Sequence, residues 1–126
     1  MSAINQALNL GDLLKYEDDC LNFSRDQVTV ASGQNLDQGV VVGLETLTGK
    51  YKVLDPAATN GTEVARGVLL FPVDATLIDK SDGVILARHG IVASSAVVWP
   101  AGITTEQKAA AIAALELRGI LIRQSA

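Results

Sequence analysis

Arg88, His89 and Gly90 are, by type and spacing, the residues most suggestive of chemistry in this chain. Arg-His-Gly is the tripeptide of the histidine phosphatases, in which the imidazole takes a phosphoryl group and the guanidinium binds it. That mechanism also needs a second histidine and further arginines around the phosphate. His89 is the chain's sole histidine, so a covalent phosphohistidine step would lack its acid–base partner. The simpler reading ends a strand at Arg88 and gives Gly90 to a turn or bulge that needs its backbone freedom.

Other catalytic constellations are weaker still. One histidine and one cysteine, Cys20, lie far apart in sequence and cannot supply a structural zinc site. Glu17, Asp18 and Asp19 lack the spacing of a calcium loop and read as a solvated charge run. Asp74 and Asp79 could be imagined as paired carboxylates, but turn and strand-end roles suit them better. No G-x-S-x-G elbow is present, and no phosphate-binding glycine loop. Trp99, the sole tryptophan, precedes Pro100. It reads as a core or rim residue closing a strand, with an interface anchor as the functional alternative. The chain is therefore read as non-enzymatic, with no catalytic residue, cofactor or metal.

The elements that would hold these residues are mostly short strands. "VTVA" (28–31) and "KYKVL" (50–54) alternate in the period of two. "GVVVGL" (39–44) is a β-branched run bounded by glycines, and "GVLLFPV" (67–73) is a buried-strand candidate whose end Pro72 confines to an edge. Gly49 and the Asn60-Gly61 pair mark turns. "DKSDG" (79–83) reads as another turn, followed by strands in "VILA", "IVASSAVVW" and "ILIR" (120–123). One helix is expected over about 104–118. Thr104 and Gln107 form a capping box, alanines fill the middle, and Gly119 suits a left-handed C-cap.

Residues 1 to about 26 differ from the rest. Their leucines fit no single period, and acidic and amide side chains surround them. They read as an arm that needs a partner to order it. The boundary therefore falls near Gln27, with an arm over 1–26 and a β-rich body over 27–126.

The chain has 126 residues, with 48% hydrophobic and 19% charged, enough apolar matter for the core of one domain. Aromatics are only 4%, so Val, Ile, Leu and Ala must fill that core. The net charge of −4 argues against binding to nucleic acid or to an anionic membrane surface. The start of the chain has neither the basic region nor the apolar run of a signal peptide. A single cysteine allows no intrachain disulfide.

The order of segments resembles the phage head decoration proteins typified by the D protein of bacteriophage lambda. The likeness runs through "VTVASGQ" (28–34) and "GLETLTGKYKVLDPAATNGTEVARGVLL" (43–70). It continues through "VDAT" (73–76) and "GVILARHGIVASSAVVWPAG" (83–102) to "TTEQKAAAIAALELRGILI" (104–122). "VVWP" followed by the Thr- and Lys-bearing helix is its most specific element. "LGDLLKYEDD" (10–19) looks like the arms of some members, although this arm is longer and more acidic than lambda's.

The resemblance implies a mainly β fold, a β-clip-like bent ribbon forming an incomplete barrel, with one late helix and a flexible N-terminal arm. It implies a homotrimer on local threefold axes of the expanded icosahedral capsid. There it would cement subunits of the major capsid protein on the outer surface of the virion, after synthesis in the host cytoplasm. The arm's apolar residues Leu10, Leu13, Leu14, Tyr16, Leu21 and Phe23 are the expected capsid contacts. The alternatives are another virion subunit of tail or baseplate, and a small β-barrel ligand-binding domain.

Overall fold

A computed structural model describes residues 13–17 and 24–124. The strands are β1 (Leu14–Glu17), β2 (Arg25–Val30), β3 (Gln34–Leu36), β4 (Val41–Glu45), β5 (Lys50–Val53), β6 (Gly67–Leu69), β7 (Val73–Ala75), β8 (Lys80–Leu86), β9 (Gly90–Ala93) and β10 (Ile120–Arg123). A 3₁₀ turn covers Ser94–Ala96, and α1 covers Thr105–Glu116. The fold is mainly β with one late helix among the described residues, as expected from the sequence.

Five strands run round a small barrel in the order β2-β5-β4-β6-β8, joined only slightly at one seam. Four of its seams are antiparallel ladders. The fifth, between β2 and β5, is parallel and consists of the single pair Val30 and Tyr51, with one bond from the Ala31 amide to the Tyr51 carbonyl (3.0 Å). β3 and β7 make a separate two-stranded sheet. β9 lies between β1, antiparallel to it, and β10, parallel to it.

The continuous apolar runs in the sequence have a specific cause. Consecutive side chains on a strand point to opposite faces, and here both faces are covered. Val40 and Val42 enter the core inside the barrel, while Val41 between them enters a second core outside it. Val68, Leu69 and Leu70 alternate in the same way, as do Ile85, Leu86 and Ala87. The outer core is roofed by β9, α1 and β10 through Val92, Leu115 and Ile120, all fully buried. Each such leucine or isoleucine contributes about 1.5–3 kcal/mol on burial.

Three expected elements differ. "DKSDG" is not a turn: β8 begins at Lys80, opposite Val30. Its polar residues Ser81 and Asp82 are both exposed at the start of the strand, which gives a turn-like composition to an extended segment. "GVLLFPV" is broken at Phe71-Pro72, and its last residue begins β7, which pairs with β3 instead of staying in the barrel. "IVASSAVVW" stops as a strand at Ala93 and tightens into the 3₁₀ turn. The helix holds closely: the Gln107 amide donates to Thr104 Oγ1 and the Thr104 amide to Gln107 Oε1, both at 3.0 Å.

The composition change near Gln27 is not where the sheets begin. β1 and the first two residues of β2 precede it, and Leu13 is fully buried in the outer core. Polar residues mask this in the sequence, because Glu17, Arg25 and Asp26 are consumed in ion pairs.

Candidate functional site

The sheet β1-β9-β10 gathers most of the expected contact residues that the structure describes. Leu13 is inserted into the core, Leu14 packs against that core while partly exposed, and Tyr16 stands 54% exposed. Leu10, Leu21 and Phe23 lie outside the described residues, as do Asp18, Asp19 and Cys20. Leu13 and Leu14 thus hold the segment to the body, and Tyr16 is the side chain of the three that faces outward.

Three features fix β1 in place. Its register on β9 pairs Leu14 with Val92, Tyr16 with Ile91 and Glu17 with Gly90. The irregularity leaves Lys15 as an extra residue, so Lys15 and Tyr16 are both exposed, as a β-bulge allows. Glu17 and Arg25 form a two-pronged ion pair, with Arg25 Nε donating at 2.8 Å and Nη2 at 2.7 Å. This raises the guanidinium above its ordinary value, through the hydrogen bonding to Glu17 first. Gly90 leaves room for the strand, since a Cβ there would lie 2.8 Å from the Tyr16 carbonyl oxygen and 2.7 Å from Leu86. β1 and β10 are the two outer edges of this sheet among the described residues.

The Arg-His-Gly segment is the corner between β8 and β9. His89, not Gly90, carries the left-handed backbone, with φ of 54°. Its amide donates to the Arg118 carbonyl (3.2 Å), and the Gly90 amide to that of Gly119 (3.1 Å). The His89 carbonyl accepts from Ser24 Oγ (3.2 Å). Arg88 forks onto Asp26 at 2.8 and 3.1 Å. Arg118, expected in the last helical turn, lies just past it and donates from Nε to the Ala87 carbonyl (3.2 Å). Gly119 takes the left-handed conformation expected of it, with φ of 80°. The corner therefore couples the strand pair to the end of α1, and Arg88 is occupied by a carboxylate.

The remaining sequence candidates have structural roles. Asp74 accepts from the Thr76 amide (3.1 Å) and hydroxyl (2.5 Å), and Asp79 from the Ser32 amide (2.8 Å), with Lys50 as its ion-pair partner (2.6 Å). The two do not act as a pair. Trp99 packs partly buried against the outer core, with Lys108 Nζ 5.6 Å from its ring centroid. Among the described residues no three His, Cys, Asp or Glu side chains are grouped to hold a metal, and no helix is long and apolar enough to cross a membrane.

The model of one protein family, bacteriophage lambda head decoration protein D, matches residues 3–120. The chain belongs to that family. It is a phage head decoration protein, placed by its family on the capsid of the virion. The match extends to both sides of Gln27. No curated protein matches the chain. The sequence did not reveal the β3–β7 sheet, the Glu17–Arg25 pair or the exposure of Leu47, Leu77, Ile78 and Leu117. Of these only the leucines at turn residues had a signal, as apolar side chains in polar loops.

Proposed function

We propose that this decoration protein acts as a homotrimer on local threefold axes of the expanded head, on its outer surface, and cements neighbouring subunits of the major capsid protein. In this reading the bent barrel is a β-clip, residues 1–26 make the shell contact, and 27–126 form the trimeric body. The family match over residues 3–120 carries the reading. The outer position of β1 supports it: an edge strand presents backbone groups to which an extended shell segment can add.

The energetics favour a β1 already held to the body. Each added backbone bond contributes about 0.5–1.5 kcal/mol net, while ordering a residue costs about 1–2 kcal/mol. A strand fixed by Leu13 and by the Glu17–Arg25 pair has met that cost on folding. Three such edges in one trimer would bind a threefold site with high effective concentration. Residues 1–12 then add contacts that a single edge lacks.

The test removes residues 1–12 alone, because cutting to residue 24 would also empty the Leu13 site. The truncated chain should keep the thermal unfolding of the full chain and lose binding to expanded, undecorated heads. Binding to such heads at full affinity would refute the arm. Equal binding of the full chain to unexpanded heads would refute the dependence on expansion.

A further inference from the structure

Asn60 is the one asparagine of the chain that precedes a glycine. A glycine in that position leaves its amide nitrogen open to the neighbouring carboxamide, because no Cβ stands in the way. The fold itself requires Gly61: its φ is 106°, and a Cβ there would lie 2.4 Å from the Leu44 carbonyl oxygen.

Hydrogen bonds converge on the atoms that would react. Asn60 Oδ1 accepts from the Thr62 amide at 3.1 Å and from the Thr62 hydroxyl at 2.6 Å. The carboxamide is thus folded back along the Gly61 peptide that joins these two residues. The Gly61 amide donates to Glu63 Oε1 at 2.8 Å, and Asn60 Nδ2 donates to Glu45 Oε2 at 3.1 Å. The main-chain carbonyl of Asn60 is held by the Thr46 amide (3.0 Å) and hydroxyl (3.2 Å). Thr62 is buried, Asn60 and Gly61 are half-buried and Glu63 is exposed, so the pair has a fixed base and water reaches it.

We propose that Asn60 and Gly61 form a self-modifying site, which closes to a succinimide and opens to aspartate or isoaspartate. Glu63 takes the proton of the Gly61 amide as that nitrogen bonds to Asn60 Cγ. The two Thr62 donors meet the negative charge that gathers on Oδ1, as paired donors do in an oxyanion hole. The Cγ–Nδ2 bond then breaks, and the proton held by Glu63 leaves with that nitrogen as ammonia. Water opens the ring at either carbonyl, its hydroxyl going to the carbon and its hydrogen to the nitrogen. No atom is oxidised or reduced. Aspartate sets a carboxylate where an amide donated to Glu45, and like charges so placed repel. Isoaspartate reroutes the main chain through Cγ, away from the carbonyl that Thr46 holds. Either product loosens the contact between this loop and the end of β4.

Peptide mapping by mass spectrometry tests this on the full chain, incubated folded in neutral buffer and unfolded in urea, beside E63Q. The glutamine keeps an acceptor for the Gly61 amide and removes the base. Circular dichroism melting checks its fold, and E63A serves if E63Q misfolds. The expected result is faster conversion of Asn60 in the folded chain than in urea, with E63Q slowing the folded chain by about tenfold or more and leaving the rate in urea unchanged. Conversion no faster folded than unfolded would overturn the site, as would a folded E63Q chain that converts at the wild-type rate. So would loss of ammonia that leaves Asn60 joined to Lys52, whose amino group also reaches Glu45 Oε2 at 3.2 Å, because the lysine would then be the nucleophile.

Discussion

His89 holds a backbone conformation that its Cβ disfavours, at the point where β8, β9 and the end of α1 meet. A left-handed residue other than glycine costs of order 1 kcal/mol. His89→Gly should therefore leave stability unchanged or raise it by up to about 1 kcal/mol, whereas a β-branched His89→Val should lower it by about 1–2 kcal/mol. Urea unfolding of the three proteins at one pH measures this. A fall in stability for the glycine variant comparable to that for valine would mean that the imidazole itself matters. The tripeptide's lack of catalytic partners was legible from the single histidine. The choice of Gly90 as the turn residue was not correct, because Gly90 is needed for close approach to Leu86 and to the Tyr16 carbonyl. Both neighbours of that glycine are set by the tertiary fold, and local sequence does not encode them.

Among the elements, α1 and β1 mark the two extremes of legibility. The helix is announced by its own residues: a capping box, alanines and a glycine stop. β1 has four residues, and its bulge puts Lys15 and Tyr16 side by side in solvent, which erases the period of two. Its attachment rests on Leu13, a neighbour in sequence that is buried by residues far along the chain. Leu13→Ala should cost about 2–5 kcal/mol, as large-to-small changes in a core do. Tyr16→Ala, at a half-exposed side chain, should stay within about 0.5 kcal/mol. Thermal unfolding separates the two. Equal melting of Leu13→Ala and the unmodified protein would show that β1 contributes nothing to the body.

For the molecule as a whole, the apolar run over 67–73 pointed to a buried strand, and the late helix was visible. They could not tell which strand neighbours which, since pairing joins residues as distant as Arg25 and Leu86. Three carboxyls near the starts of β5 and β8 also contribute to the response to acid. Hydrogen bonds from Thr48 and then Lys52 lower the Glu45 carboxyl below its ordinary 4.5. Thr76 does the same for Asp74, and Lys50 followed by Ser32 for Asp79, both below the ordinary 3.8. Carboxyls depressed by folding stabilise the protein fully above their unfolded values and lose that contribution as pH falls through the folded ones. Stability from these groups should therefore hold down to about pH 5 and decline below about pH 4. Asp79→Asn should decline less steeply over that range in thermal unfolding at fixed ionic strength. An identical acid limb would remove Asp79 from the account.

The position of β9 between β1 and β10 has a consequence for how the chain is made. The strand's two partners come from opposite ends of the sequence, residues 14–17 and 120–123. A ribosome that has released only the first hundred residues has produced the barrel strands but not Leu115 or Ile120, which roof the outer core. Until translation passes residue 123, Val92 and Leu86 lack that cover, and one edge of β9 is bare. The outer core is thus completed only after residue 123 has been made, and a message cut short before α1 yields a chain with an open apolar face and a strand with one bare edge, the combination that leads to aggregation.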